Sequence, residues 1–158
     1  MKTHHYKTEI SWTGNLGKGT ADYTSYKRDH VVTINGKSDP INMASDPAFR
    51  GDPTRYNPEE LLVISLSSCH MLWYLHLCAI NDIIVTTYED AAEGTMEEIS
   101  NGGGRFTSVT LHPKITIANV DKVDLAFSLH EKAHELCFIA NSCNFPIHHQ
   151  PNISIEDE

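Results

Sequence analysis

Between Leu61 and Asn81 the chain runs without an acidic or basic residue other than histidine (LLVISLSSCHMLWYLHLCAIN), and this stretch restricts the available folds more than any other. About 20 uncharged residues is the length that crosses a bilayer. The segment nevertheless carries Ser65, Ser67, Ser68, His70, His76 and Asn81, has no aromatic belts or basic flank, and follows Glu59 and Glu60. It therefore reads as a buried helix and not as a membrane span. A helix that is apolar nearly all round needs covering on every side. A chain of 158 residues has few layers with which to do that, so a partner subunit is expected.

That length also predicts one domain spanning 1–158, large enough to bury most of the surface its unfolded form exposes. The formal net charge of −9 repels phosphate backbones and anionic membrane surfaces, which argues against nucleic acid or membrane as partners. The opening MKTHHYKTEISW is polar and alternating, with no basic region leading into an apolar run, so a cytoplasmic location is expected. Four cysteines without a secretory leader do not read as a disulfide scaffold; in a reducing compartment they begin as thiols.

Period and punctuation give the map. Tyr6 to Trp12 alternates weakly, Gly14 to Gly19 turns, and Thr20 to Ile34 is rich in Thr, Tyr and Val before the hairpin signal Asn35-Gly36. Ser38 to Tyr56, with Pro40, Pro47, Gly51 and Pro53, reads as a long irregular loop. Asn57-Pro58-Glu59-Glu60 has the cap, first-position proline and first-turn acids of a helix start, and that helix is expected to reach about Ile80. Ile83 to Glu89 and Arg105 to Ala118, separated by Gly102-Gly103-Gly104, read as a strand pair. A second helix opens at Asp121, with Ala126, Leu129, Ala133, Leu136, Cys137 and Ala140 at helical spacing and its end at Asn144 and Pro146; Asn152 to Glu156 adds a last strand. The fold class is α+β, two helices packed against antiparallel sheet.

A buried cysteine is ordinarily a small hydrophobe. Cys69 and Cys137 stand out because both are placed inside core helices expected to pack together. Packed helix axes lie about 8–10 Å apart, so thiols on facing stripes can approach the Cα separation of about 4.4–6.8 Å that a disulfide requires. Cys78, nine residues beyond Cys69, points to the opposite side of the helix and cannot be its partner. Among the ten histidines, His130 and His134 share a helix face with Cys137 nearby, which leaves open a Cys/His metal site. The pairs His4-His5 and His148-His149 are expected to be exposed.

The segment Asn57-Pro58-Glu59-Glu60-Leu61 followed by Ser68-Cys69, the later Ala133-His134-Glu135-Leu136-Cys137 with Asn141, and the opening Trp12-Thr13-Gly14-Asn15 with Gly17-Lys18-Gly19-Thr20 resemble the osmotically inducible protein C and organic hydroperoxide resistance (OsmC/Ohr) family. The resemblance implies an OsmC-like fold, with two long central helices wrapped by antiparallel sheets in an intertwined homodimer. It also implies thiol-dependent reduction of organic hydroperoxides at the subunit interface, without a cofactor or metal. By the same resemblance Cys69 matches the peroxidatic cysteine, Cys137 the resolving cysteine that closes a disulfide with it, and Glu59 the site glutamate. Arg50 is the first candidate for the activating cation and Arg28 the second. Two departures are visible: Phe138 stands where the family carries proline, and Cys143 has no counterpart.

Such a site is physically coherent. The thiolate is the nucleophile, and a free thiol at pH 7 is only a few per cent ionised. Cys69 lies too far inside its helix for the N-terminal dipole to help. A guanidinium at about 4 Å, with an effective dielectric near 20, contributes roughly 4 kcal/mol before desolvation is subtracted, and Glu59 is expected to orient it. Ten helical residues place Glu59 about 15 Å from Cys69, so the acid and its arginine are expected to serve the cysteine of the other subunit. Leu66, Leu72, Trp73, Phe138 and Phe49 are expected to wall the site and favour alkyl or lipid-like hydroperoxides, at about 0.8 kcal/mol per buried methylene. A dithiol or redoxin would return the disulfide to thiols. The competing reading is a non-enzymatic binder that keeps the apolar pocket.

Overall fold

Asn57 ends the N-terminal run and starts the long helix. Its side-chain Oδ1 accepts the Glu60 amide at 2.8 Å, while the Glu60 carboxylate accepts the Asn57 amide at 3.1 Å. This reciprocal box satisfies two amide donors that a helix start leaves open. The computed structural model describes residues 1 to 156, and helix α1 in it runs Pro58–Ile80, as its cap and its uncharged length predict. The chain falls into two compact units, Met1–Leu61 and Leu62 onward, each described by itself.

In the first unit, strands β1 (Glu9–Trp12), β2 (His30–Thr33) and β3 (Ile41–Met43) form an antiparallel sheet in that order. The Asn35-Gly36 signal is a turn between β2 and β3, with Gly36 at φ 83°, a conformation that costs glycine little. Most of Thr20 to Ile34 is not strand. Asp22 takes both the amide and the hydroxyl of Thr24, at 2.7 and 2.6 Å, and these local bonds turn the chain in place of a ladder. The segment Ser38 to Tyr56 is more ordered than its prolines suggest, since it holds β3 and a short 3-10 turn, Pro47–Phe49.

The second unit contains β4 (Val85–Asp90), β5 (Glu93–Glu98), β6 (Gly104–Leu111), β7 (Pro113–Ile117), helix α2 (Val123–Leu136), β8 (Ile147–His149) and β9 (Asn152–Ile155). Two three-stranded sheets result, ordered β4-β7-β9 and β5-β6-β8. The expected strand from Arg105 to Ala118 is broken at His112, where Pro113 removes a ladder donor and the chain passes from one sheet to the other. The glycine hairpin joins β6 to β5 and not to the strand after α1. The sheets are mixed rather than antiparallel: β8 and β9 return after α2 and pair parallel with β6 and β7, because a helical crossover brings a strand back in the same direction.

Helix α2 ends earlier than its periodicity suggests. Cys137, expected inside the helix, is its C-terminal cap in an extended conformation, and Ala140 belongs to a separate 3-10 turn. The side-chain amide of Asn141 donates to Glu135 O at 2.9 Å and so satisfies a terminal carbonyl that a further turn would have used.

One stripe of α1, made of Leu66, His70, Tyr74, Leu77 and Cys78, is buried. Leu66 joins Val109 and Leu111 in one core cluster; Tyr74, Leu77 and Cys78 join Ile83, Ile115, Ile117 and the α2 residues Ala126, Leu129 and Ala133 in another. The other side is open, with Leu72 60% and Ile80 63% exposed. By length and composition α1 could cross a membrane, and only 28% of its most apolar window is buried within the chain.

Candidate active site

The second unit brings the two cysteines together. Cys69, half-buried, projects from the middle of α1, and Cys137, buried, sits where the chain leaves α2. Both are free thiols and near neighbours, and Cys137 is pushed up to about 11, first by burial and further by its proximity to Cys69. The Ala140 amide donates to Cys137 Sγ at 3.4 Å, which pulls the other way. An extended residue at a helix cap can turn its side chain toward a neighbouring helix without displacing either axis. Beside the pair, the Trp73 and Phe138 rings meet edge to face at 5.6 Å, and Phe138 is 70% exposed. Leu72 and Phe138 are therefore accessible apolar surface, Trp73 is half-buried against the core, and Leu66 lies wholly within it.

The remaining thiols are set apart by their surroundings. Cys78 belongs to the Tyr74 cluster, where burial raises its pKa. Cys143 is half-buried against the Leu66 cluster and its thiol donates to Ile139 O at 3.3 Å.

The histidines form a structure the sequence did not announce. His70 Nε2 and His130 Nδ1 are 3.0 Å apart, the two rings are stacked at 5.3 Å, and His149 stacks on His70 at 5.6 Å. Tyr74 lies flat on His130 at 3.9 Å between centroids. Burial holds His70 down to about 4 and His130 to about 3, so both rings are neutral near pH 7. His130 faces His70 and Tyr74, and among the described residues no group of three or more His, Cys, Asp or Glu is arranged to hold a metal ion. His149, expected at the surface, is half-buried because β8 carries it inward; His148, its neighbour on the alternate face, is exposed. The period-2 alternation from Ile147 to His149 was the available signal.

In the first unit, Arg28 and Glu59 line one cavity of about 340 Å³, with Trp12, Tyr26 and Phe49 among its walls. Arg50 is exposed, sits after the 3-10 turn at φ 67°, and is not among the residues lining that cavity. Among the described residues no ion pair joins Glu59 to Arg28 or to Arg50.

Two helices and three small sheets, with one half-buried and one buried free thiol brought near each other, place the chain in the α+β class. The family model OsmC, described as OsmC-like protein, matches residues 51–152, and the chain belongs to that family. The structure of an OsmC-like protein of unknown function from Vibrio cholerae covers 95% of this chain and 100% of its own, at 29% identity and a TM-score of 0.84. An organic hydroperoxide resistance protein from Elizabethkingia anophelis, with thiocyanate bound, is 22% identical over 99% of this chain and 100% of its own, with a TM-score of 0.66. A similar protein named for organic hydroperoxide resistance, from Legionella pneumophila, is 19% identical over 96% of this chain and 99% of its own, with a TM-score of 0.66. These last two likenesses show the OsmC-like fold. No curated protein sequence matches the chain.

Proposed function

We propose that this protein is a cytoplasmic thiol peroxidase that reduces organic hydroperoxides in oxidative stress defence. The proximity of Cys69 and Cys137, one partly open and one buried, is the observation that carries the reading. The Cys69 thiolate attacks the terminal oxygen of ROOH; the O–O bond breaks, Cys69 becomes a sulfenic acid, and the alkoxide takes a proton to leave as ROH. Cys137 then attacks the sulfenic sulfur, the S–S bond forms, and the hydroxyl group leaves with the Cys137 proton as water. An external dithiol or redoxin restores both thiols. A resolving thiol raised by burial stays protonated until it is needed, which suits Cys137 to the second step and not to the first.

The open side of α1, with Leu72 and Ile80 in water, supports an intertwined homodimer in which a second copy covers it. Ten residues of unbroken helix separate Glu59 from Cys69 by about 15 Å along the axis. In this reading Arg28, with Glu59 beside it, therefore acts on the partner subunit's Cys69, and Arg28 takes precedence over Arg50 because it shares the Glu59 cavity. Trp73, Leu72 and Phe138 favour an alkyl or aryl hydroperoxide over hydrogen peroxide, since each buried methylene contributes about 0.8 kcal/mol.

One equivalent of cumene hydroperoxide should convert the reduced protein to a species with a Cys69–Cys137 disulfide in intact-mass and peptide spectra, and dithiothreitol should reverse it. Unchanged thiols after peroxide, with the hydroperoxide retained noncovalently, would replace the peroxidase by a binding protein.

A further inference from the structure

We propose that Tyr23 and Tyr26 are positioning residues for Arg28, so that the turn carrying the cation sets its place. The inference rests on the reading above, in which Arg28 activates Cys69, and adds how that guanidinium is held.

The side chain is gripped from four directions by a short local segment. Arg28 Nη1 donates to Tyr26 O at 2.7 Å and Nη2 donates to Tyr23 O at 2.8 Å. The guanidinium carbon also lies 4.1 Å from the Tyr26 ring centroid and 4.4 Å from that of Tyr23. A planar guanidinium suits this cradle. Its fork reaches two carbonyls at once, its faces rest on aromatic rings, and N–H groups remain for a further partner. Two neutral carbonyls and two rings remove water without cancelling the positive charge, whereas a carboxylate in the same place would neutralise it.

Tyr26 is itself anchored. Trp12 on β1 meets its ring edge-on at 5.8 Å, and the indole Nε1 donates to Lys27 O at 2.9 Å. Gly14 allows the close approach behind this: a Cβ there would lie 1.9 Å from Lys27 O. On the Tyr23 side, Asp22 fixes the turn through the Thr24 amide and hydroxyl. Among the described residues Glu59 lines the same cavity without an ion pair to the cation.

The test is the pH profile of Cys69 alkylation by iodoacetamide, resolved by peptide mass spectrometry in the intact protein. Arg28→Met should lower the rate at pH 7 by tenfold or more while leaving the high-pH plateau unchanged. Tyr23→Leu should reproduce a substantial part of that loss, with Tyr26→Leu larger still, and Tyr23→Phe should restore the parent profile because ring and main-chain carbonyl both remain. Glu59→Gln should move the midpoint less than Tyr26→Leu does. Tyr23 is 59% exposed, so its leucine variant is expected to fold even where Tyr26→Leu does not. If Arg28→Met moves the midpoint and Tyr23→Leu does not, the cradle is overturned alone. A midpoint shift in Glu59→Gln equal to that of Arg28→Met would return the positioning role to the acid. An unmoved midpoint in Arg28→Met would remove the activating arginine, and the cradle's part in the reaction with it.

Discussion

The thiol pair and the imidazole stack meet on α1 one residue apart, Cys69 beside His70, yet their surroundings are opposite. His70 and His130 are sealed, stacked and held neutral by burial. Cys69 remains half-buried near the Trp73–Phe138 pair, of which Phe138 is exposed. A one-residue step turns a side chain about 100° around an α-helix, and here that step separates core from opening. Residue type did not distinguish these regions, because histidine is as competent in catalysis as cysteine. Access did.

The largest test of this contrast is Cys69→Ser, which should abolish consumption of cumene hydroperoxide; residual turnover above a hundredth of the parent rate would place the nucleophile elsewhere. Cys137→Ser should allow one sulfenic acid event and then stall or advance to sulfinic acid, read as added oxygen mass on the Cys69 peptide. The imidazole stack should show itself in stability and not in turnover. Folded His70 and His130, at about 4 and about 3, lie below the ordinary value of 6.5, so the unfolded chain binds more protons between these values. Their contribution is therefore complete above about pH 6.5 and is lost progressively as pH falls toward 3. Denaturant midpoints measured from pH 7 to pH 4 should fall, and His130→Phe should flatten the slope; an equally steep slope in that variant would assign the acid sensitivity to other groups. The smallest effect is expected from Cys78→Ser, which should leave peroxide consumption within about twofold while a buried hydroxyl costs on the order of 1–3 kcal/mol of stability. A loss of turnover matching Cys69→Ser would mean that the two faces of α1 have been exchanged.

The sequence was most legible where local chemistry sufficed. The capping box at Asn57, the uncharged run and the family pattern from Asn57 through Cys137 located α1 and the thiols. It was less legible where long-range pairing decided. The mixed sheets depend on β8 and β9 returning beside β6 and β7, which no local window reports. Helix periodicity carried past Leu136, whereas the helix stops there, with the Asn141 side-chain amide on Glu135 O and Cys137 extended. Spacing counts residues along a chain and does not report that Arg28 lines the Glu59 cavity while Arg50 does not. The histidine stack was hidden for the same reason, since His70, His130 and His149 come from three separate elements.

Asp90 joins the helix to the sheets at the level of the thiols. Its carboxylate accepts the Ser67 hydroxyl at 2.5 Å and the His112 amide at 2.7 Å, two residues before Cys69 on one side and at the sheet change on the other. A helix bearing a nucleophile can fail by sliding along its own axis, where a slip of one residue moves the sulfur by about 1.5 Å. This carboxylate latches α1 to the break between β6 and β7. The reach of the sulfur is thereby indexed to the strand ladder, and a disturbance of the ladder at His112 would be felt as a misaimed thiol.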